Sequence, residues 1–185
     1  EICACLVGSE MCIRDRIFKP RKSSKLFDMI SSRQRKYALV TGASSGIGRE
    51  YAAQLAAKGY DLVMAGNRDE ENRAAAREIA ARYGVRTLPL CMDLSEPDAA
   101  VKLHAETSAR GIEIGVLVCN AGIAQVKLFT DTTDEDWRRM MAVDLDGAFY
   151  ACRAVLPGMI HRKYGRILLV SSMWGQTGGS CEVAY

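Results

Sequence analysis

The run Thr41-Gly42-Ala43-Ser44-Ser45-Gly46-Ile47-Gly48 joins a short apolar segment to an amphipathic one, and its residue types suit a diphosphate. A glycine-rich turn between a strand and a helix points backbone N–H groups and the positive helix end at one place, where an anion is stabilised. Gly42 permits the tight turn, Gly46 lets the backbone approach phosphates with no Cβ in the way, and Gly48 lets the helix pack closely on the strand. A strand-to-helix turn with no ligand would use the same glycines, and only the flanking patterns weigh against that alternative. A second informative stretch, Gly66-Asn67-Arg68-Asp69, ends the next apolar run. Sites for NAD place an acid there for the ribose hydroxyls, whereas sites for NADP offer a cation to the 2′-phosphate. With no acid at the strand end and the Arg68 guanidinium within reach, the sequence favours NADP over NAD; a merely solvated Arg68 is the alternative.

Metal chemistry is not indicated. His104 and His161 lie far apart on predicted helix surfaces, and the seven cysteines, at 3, 5, 12, 91, 119, 152 and 181, form no CxxC pair. Isolated cysteines act as small hydrophobes and suit a reducing cytoplasm.

These residues need a scaffold, and from Tyr37 onward short apolar runs alternate with longer amphipathic ones, the rhythm of a parallel sheet covered by helices on both faces. Strands are predicted at 37–41, 61–65, 87–91, 115–119 and 166–172. The first helix carries Ile47, Tyr51 and Leu55 on one face and stops at Gly59; the second runs from about Asp69 to Tyr83 and stops at Gly84; the third begins near Pro97 and ends at Gly111. Thr132 with Glu135 fits a capping box for one long helix bearing Trp137, Met140, Met141, Leu145, Phe149, Cys152 and Val155. Five strands and four helices between them build most of a doubly wound α/β sheet of Rossmann type, left incomplete at residue 185.

The net charge of +3 is uneven: residues 1–36 hold nine Lys/Arg against four Asp/Glu, leaving −2 for the remainder. The basic residues are interspersed with Ser, Phe and acids and show no helical stripe, which argues against a nucleic-acid or membrane-surface arm. No run reaches the roughly 20 apolar residues of a membrane span. The opening EICACLVGSEMCIRDR lacks an initiator Met, has too short an apolar run for a signal peptide, and looks like translated adapter text. Residues 1–36 are therefore read as a disordered or artefactual leader, with Met29 as the true start, and 37–185 as a truncated nucleotide-binding domain.

TGASSGIG resembles the fingerprint of the short-chain dehydrogenase/reductase family, classical type, and further family motifs follow at matching distances. Asp93-Leu94 follows the third strand, Asn120-Ala121-Gly122 follows the fourth, and Ser172 precedes Tyr185 by 13 residues. Singly, each has a plain reading: a helix cap, a turn, a structural hydroxyl. The resemblance implies that Ser44, Ser45, Ile47, Asn67, Arg68, Asp93, Leu94 and Asn120 to Gly122 contact the cofactor beside the glycines, with Asp93 against the adenine. It implies that Tyr185 is the general acid to a substrate carbonyl oxygen and that Ser172 hydrogen-bonds the same oxygen. A phenol in that role needs a neighbouring cation, which the family supplies with a Lys four residues after the Tyr, past the last residue here. Where the family has a helix Asn holding a relay water, 28 residues before Ser172, this chain has Asp144; a capped or buried helix Asp is the other reading.

The stretch 171–185, SSMWGQTGGSCEVAY, resembles 3-oxoacyl-carrier-protein reductases and elongation factor P 5-aminopentanone reductases, which implies that Trp174, Gln176, Ser180 and Cys181 line a substrate entrance. A small-molecule or carrier-bound carbonyl substrate is then expected. So is a homodimer or homotetramer of the full-length protein, with Trp137 and Phe149 as candidate contacts. The competing expectation is a nucleotide-binding fragment without turnover.

Overall fold

The structure, a computed structural model, describes residues 2–4 and 36–185. All five expected strands are present: β2 (Tyr37–Thr41), β3 (Asp61–Gly66), β4 (Thr87–Cys91), β5 (Ile114–Cys119) and β6 (Arg166–Leu169). A sixth, β1 (Ile2–Ala4), comes from the leader that the sequence reading set aside, and it pairs in parallel with β6. An open sheet edge presents unpaired N–H and C=O groups, and a short extended segment satisfies some of them. Apart from Lys36, the rest of the leader, Met29 included, lies outside the described residues. The sheet is parallel throughout, in the order β1-β6-β5-β2-β3-β4. Because β4 is an edge, Pro89 within it is tolerated.

Side-chain alternation splits the core into two layers. Ala38, Val40, Leu62, Met64 and Val118 pack on one face against α1 (Gly46–Ala57) and α2 (Asp69–Tyr83). Leu39, Val63, Ala65, Leu117 and Cys119 pack on the other against α3 (Ala99–Ser108) and α5 (Gly147–His161). Burial on both faces explains why the strands read as nearly continuous apolar runs. Gly84 ends α2 in the left-handed region, its N–H bonded to Ala80 O at 2.9 Å.

Four expectations shift. The inner face of α1 is Gly48, Ala52 and Ala56; Tyr51 and Leu55 only flank the core, and Ile47 is 66 % exposed. The helix lies so close to the sheet that only glycine and alanine fit between, so the larger apolar residues mark the flank. Ser172 lies three residues past β6, which stops at Leu169. The capping box belongs to Thr133 and Asp136 rather than Thr132 and Glu135: Thr133 Oγ1 accepts from Asp136 N at 3.1 Å and Asp136 Oδ2 from Thr133 N at 3.0 Å. Thr132 instead turns its hydroxyl back to Leu128 O. Finally, the long helix is interrupted, α4 (Asp134–Met141) passing through a π turn at Ala142–Asp146 into α5.

Candidate nucleotide site

The chain winds outward from β2 through β3 to β4, then crosses back to β5 and β6. Strand-to-helix loops therefore diverge at the carboxyl ends of β2 and β5, and in open parallel sheets such a divergence makes a crevice. A cleft of about 830 Å³ opens there. It brings together ten of the sequence-predicted residues: Gly42, Ser44, Ser45, Asn67, Arg68, Asp93, Leu94, Asn120, Ala121 and Gly122. Gly46, Ile47, Gly48, Asp144, Ser172 and Tyr185 are not among its lining residues.

The floor is built by close backbone approach. Gly42 has φ +65°, and a Cβ there would stand 2.9 Å from Ala121 Cα. A Cβ on Gly48 would overlap the Gly42 carbonyl and come within 2.5 Å of Asn120 Nδ2. Gly46 has φ +55° and faces open space, as an approaching ligand would require. Thr41, at the end of β2, locks the crevice: its Oγ1 accepts from Asn120 N at 2.9 Å and Ala121 N at 3.0 Å, and its carbonyl accepts from Asn120 Nδ2 at 3.2 Å.

Ser45 occupies the N-cap of α1 but does not turn its hydroxyl onto the helix. The hydroxyl instead accepts from Arg68 Nη2 at 2.5 Å, and Ser44 Oγ lies 3.3 Å from the same nitrogen. The first-turn amides of α1 thus have no side-chain cap, leaving them available to an anion. The guanidinium is also paired with exposed Glu71 at 2.7 Å. Across the cleft Asp93 Oδ1 accepts from Ser95 Oγ at 2.7 Å and Ser95 N at 2.9 Å. These bonds, with a smaller contribution from Arg139, hold its carboxyl below the usual carboxylate range.

Asp144 sits in the π turn, and its Oδ1 accepts from Ile123 N at 2.8 Å, tying α4–α5 to the segment after Gly122. Burial pushes its carboxyl up, and the Ile123 bond opposes that. Ser172 Oγ accepts from Trp174 N at 3.2 Å at the start of α6 (Trp174–Thr177), while Tyr185 is 41 % exposed. Nearby, Lys127 N donates to Cys181 O at 2.7 Å, docking the 179–182 segment on the loop after β5. Among the described residues no His/Cys/Asp/Glu group could hold a metal, and no helix is long and apolar enough to cross a membrane.

Sequence reasoning missed one wall. Glu135, Arg139 and Val143 line the cleft from α4 and the π turn at four-residue spacing, a stripe that was available as a signal, although Glu135 was given only a capping role and Arg139 and Val143 none. It also gave Thr41 and Asn72 no role. Asn72, on the buried face of α2, is fully buried and donates from Nδ2 to Met64 O at 2.8 Å and Leu90 O at 3.3 Å, and so ties β3 to β4.

Residues 36–185 match the family described as short chain dehydrogenase. The chain belongs to that family. An uncharacterized oxidoreductase, YmfI, of Bacillus subtilis is 40 % identical over 151 residues, which are 81 % of this chain and 61 % of that protein. The 3-oxoacyl-[acyl-carrier-protein] reductase FabG of Aquifex aeolicus is 38 % identical over 152 residues, 82 % of this chain and 61 % of that protein. Among solved structures, a metagenomic short-chain oxidoreductase in complex with NADP superposes with TM-score 0.76 at 34 % identity, covering 81 % of this chain and 68 % of the other. The L-sorbose reductase of Gluconobacter frateurii, complexed with NADPH and L-sorbose, superposes with TM-score 0.79 at 27 % identity, covering 82 % and 58 %. This short-chain dehydrogenase thus spans about three fifths of the length of the two relatives named.

Proposed function

We propose that the complete protein is an NADP-dependent reductase of a carbonyl compound, a 3-oxoacyl thioester or a near relative of one. The observation that carries the cofactor is the Arg68 guanidinium, hydrogen-bonded to the Ser44 and Ser45 hydroxyls at the rim of the glycine turn. A ribose 2′-phosphate lying on that turn would exchange two weak neutral acceptors for a charge-assisted, bidentate partner. The cradle fits the rest of the dinucleotide: uncapped amides at 46–48, open space at Gly46, and a cleft running on to Asp93 and Asn120. The nicotinamide, when bound, supplies the hydride.

The chain's own groups do the remaining work. Tyr185 delivers a proton to the carbonyl oxygen, and Ser172 fixes that oxygen by hydrogen bonding. Asp144 anchors the Asn120–Ile123 segment along which the cofactor lies. Trp174, Gln176, Ser180 and Cys181 border the substrate. The 3-oxoacyl reductases among the relatives support this substrate class. Assembly into dimers or tetramers would use α4 and α5, where Trp137 and Phe149 are 46 % and 54 % exposed. The test is NADPH oxidation by the full-length enzyme, followed optically with a 3-oxoacyl thioester. Turnover that Ser172→Ala and Tyr185→Phe each abolish is expected; a preference for NADH, or no carbonyl-dependent oxidation, overturns the proposal.

A further inference from the structure

We propose that Lys127 is a positioning residue for the Ser172 and Tyr185 chemistry: its backbone amide holds the 179–185 segment, and its ammonium, fixed on Asp136, holds that amide in place. The functional half of this inference rests on the reductase reading above; the structural half does not.

Lys127 belongs to the stretch after Gly122, along which burial alternates: Ile123, Gln125 and Lys127 are half-buried, while Ala124, Val126 and Leu128 are exposed. A period of two is that of an extended chain laid on a surface. Each inward residue is bonded to a carboxylate of α4 or the π turn. Ile123 N donates to Asp144 Oδ1 at 2.8 Å, Gln125 Nε2 to Asp136 Oδ1 at 2.9 Å, and Lys127 Nζ to Asp136 Oδ2 at 2.6 Å. The last is an ion pair whose side chains are 34 % and 22 % exposed, so it is screened less than a fully exposed pair.

Among the described residues, Lys127 is the only one outside 172–185 that is hydrogen-bonded to 173–185. Its N–H donates to Cys181 O at 2.7 Å, and it pairs with Glu182 in an isolated parallel bridge. Other bonds of the segment close within it, as from Gly178 N to Trp174 O, Glu182 N to Gly179 O and Trp174 N to Ser172 Oγ. Cys181 has φ +61°, a left-handed backbone that a residue with a Cβ rarely adopts. Such a conformation persists where its surroundings hold it, and the Lys127 amide is the partner that does so. Tyr185 follows four residues later, so a shift of Cys181 reaches its phenol.

Removing the ammonium frees the 125–127 stretch without uncapping α4. Asp136 Oδ2 keeps Thr133 N at 3.0 Å and Thr133 Oγ1 keeps Asp136 N at 3.1 Å, so the cleft wall at Glu135 and Arg139 stays where it is. The loss therefore falls on the reacting groups and not on nucleotide binding. A misplacement of about 1 Å there costs up to about a hundredfold in rate.

The experiment compares Lys127→Met, which keeps the stem and drops the charge, with Lys127→Arg, which keeps a cation, in the full-length protein. Turnover of a 3-oxoacyl thioester, NADPH binding and amide hydrogen exchange by peptide are measured together. Lys127→Met should lower kcat about ten- to a hundredfold with NADPH affinity within about twofold, and Lys127→Arg should recover most of the rate. Exchange should quicken at 125–128 and 179–185 and nowhere else. An unchanged kcat, a matching loss of NADPH affinity, no recovery with Lys127→Arg, or exchange that quickens throughout the domain overturns the proposal. In the unaltered protein the Lys127 amide should exchange slowly, which needs no variant to fold; exchange as fast as in an open chain overturns the structural half. No turnover by the unaltered protein, or turnover that survives Tyr185→Phe, would sink the reductase reading instead, with the exchange map still deciding whether Lys127 holds the segment.

Discussion

Thr41 Oγ1 stands 2.9 Å from the Asn120 backbone nitrogen, so one hydroxyl at the end of β2 closes the loop that leaves β5. It accepts a second bond from Ala121 N at 3.0 Å, and Thr41 itself is 2 % exposed. Thr41→Val keeps the shape and removes the acceptor, leaving two part-buried N–H groups unpaired. The expected loss is about 1–3 kcal/mol, read as a lower urea midpoint, and Thr41→Ser should recover most of it. An unchanged midpoint would mean the loop is held by other contacts.

Arg68 tests the cofactor reading directly. Its pair with Glu71 is solvent-exposed on both sides and contributes little, so replacing it should cost almost no stability. Arg68→Gln should weaken NADPH binding roughly ten- to a hundredfold, the worth of a charge-assisted phosphate contact, while changing NADH binding by less than about twofold. Isothermal titration with both nucleotides checks it, and equal losses for the two would remove the 2′-phosphate from the account.

The glycines separate strain from space. At Gly48 a Cβ would meet backbone, which cannot yield, so Gly48→Ala should cost about 1–3 kcal/mol or more and abolish nucleotide binding together with stability. Gly46 has φ +55° with nothing within 4 Å, so Gly46→Ala is expected to cost only the left-handed backbone penalty, about 1–2 kcal/mol. Thermal melts of the two variants side by side should therefore differ, with Gly48→Ala the less stable.

The parallel sheet was legible because both its faces are covered, which turns each strand into an apolar run, and because Gly59, Gly84 and Gly111, all at positive φ, punctuate the helices. The glycine turn was legible because an apolar run precedes it and an amphipathic one follows, although a turn without a ligand would use the same glycines. What the sequence left open was decided by tertiary partners. Thr132/Glu135 and Thr133/Asp136 fit one capping template equally. The second pair prevails where Asp136 also accepts from Lys127 Nζ at 2.6 Å and Gln125 Nε2 at 2.9 Å, bonds that hold its carboxyl well below the usual range. The inner face of α1 escaped detection because glycine and alanine carry almost no hydrophobic signal, although close packing demands them. The π turn that delivers Asp144 to Ile123 has no residue signature, and Arg139 on α4 has no sequence signal of the cleft it shares with Met92 to Ser95 after β4.

Asp144 gives the last prediction its sign. Burial raises its carboxyl in the folded protein above the unfolded value, so the folded state binds this proton more tightly. Where the unfolded chain has already lost the proton and the folded protein has not, from the ordinary carboxylate range upward, stability falls as pH rises. Asp144→Asn cannot titrate, yet it keeps an oxygen to accept the Ile123 N–H. The difference in unfolding free energy, wild type minus variant, should therefore shrink or turn negative as pH rises from about 4 towards 7, which urea titrations at several pH values would show. A difference that grew with pH would mean that the ionised carboxylate is stabilised where it sits, and that its bond to Ile123 N–H outweighs the cost of burying the charge.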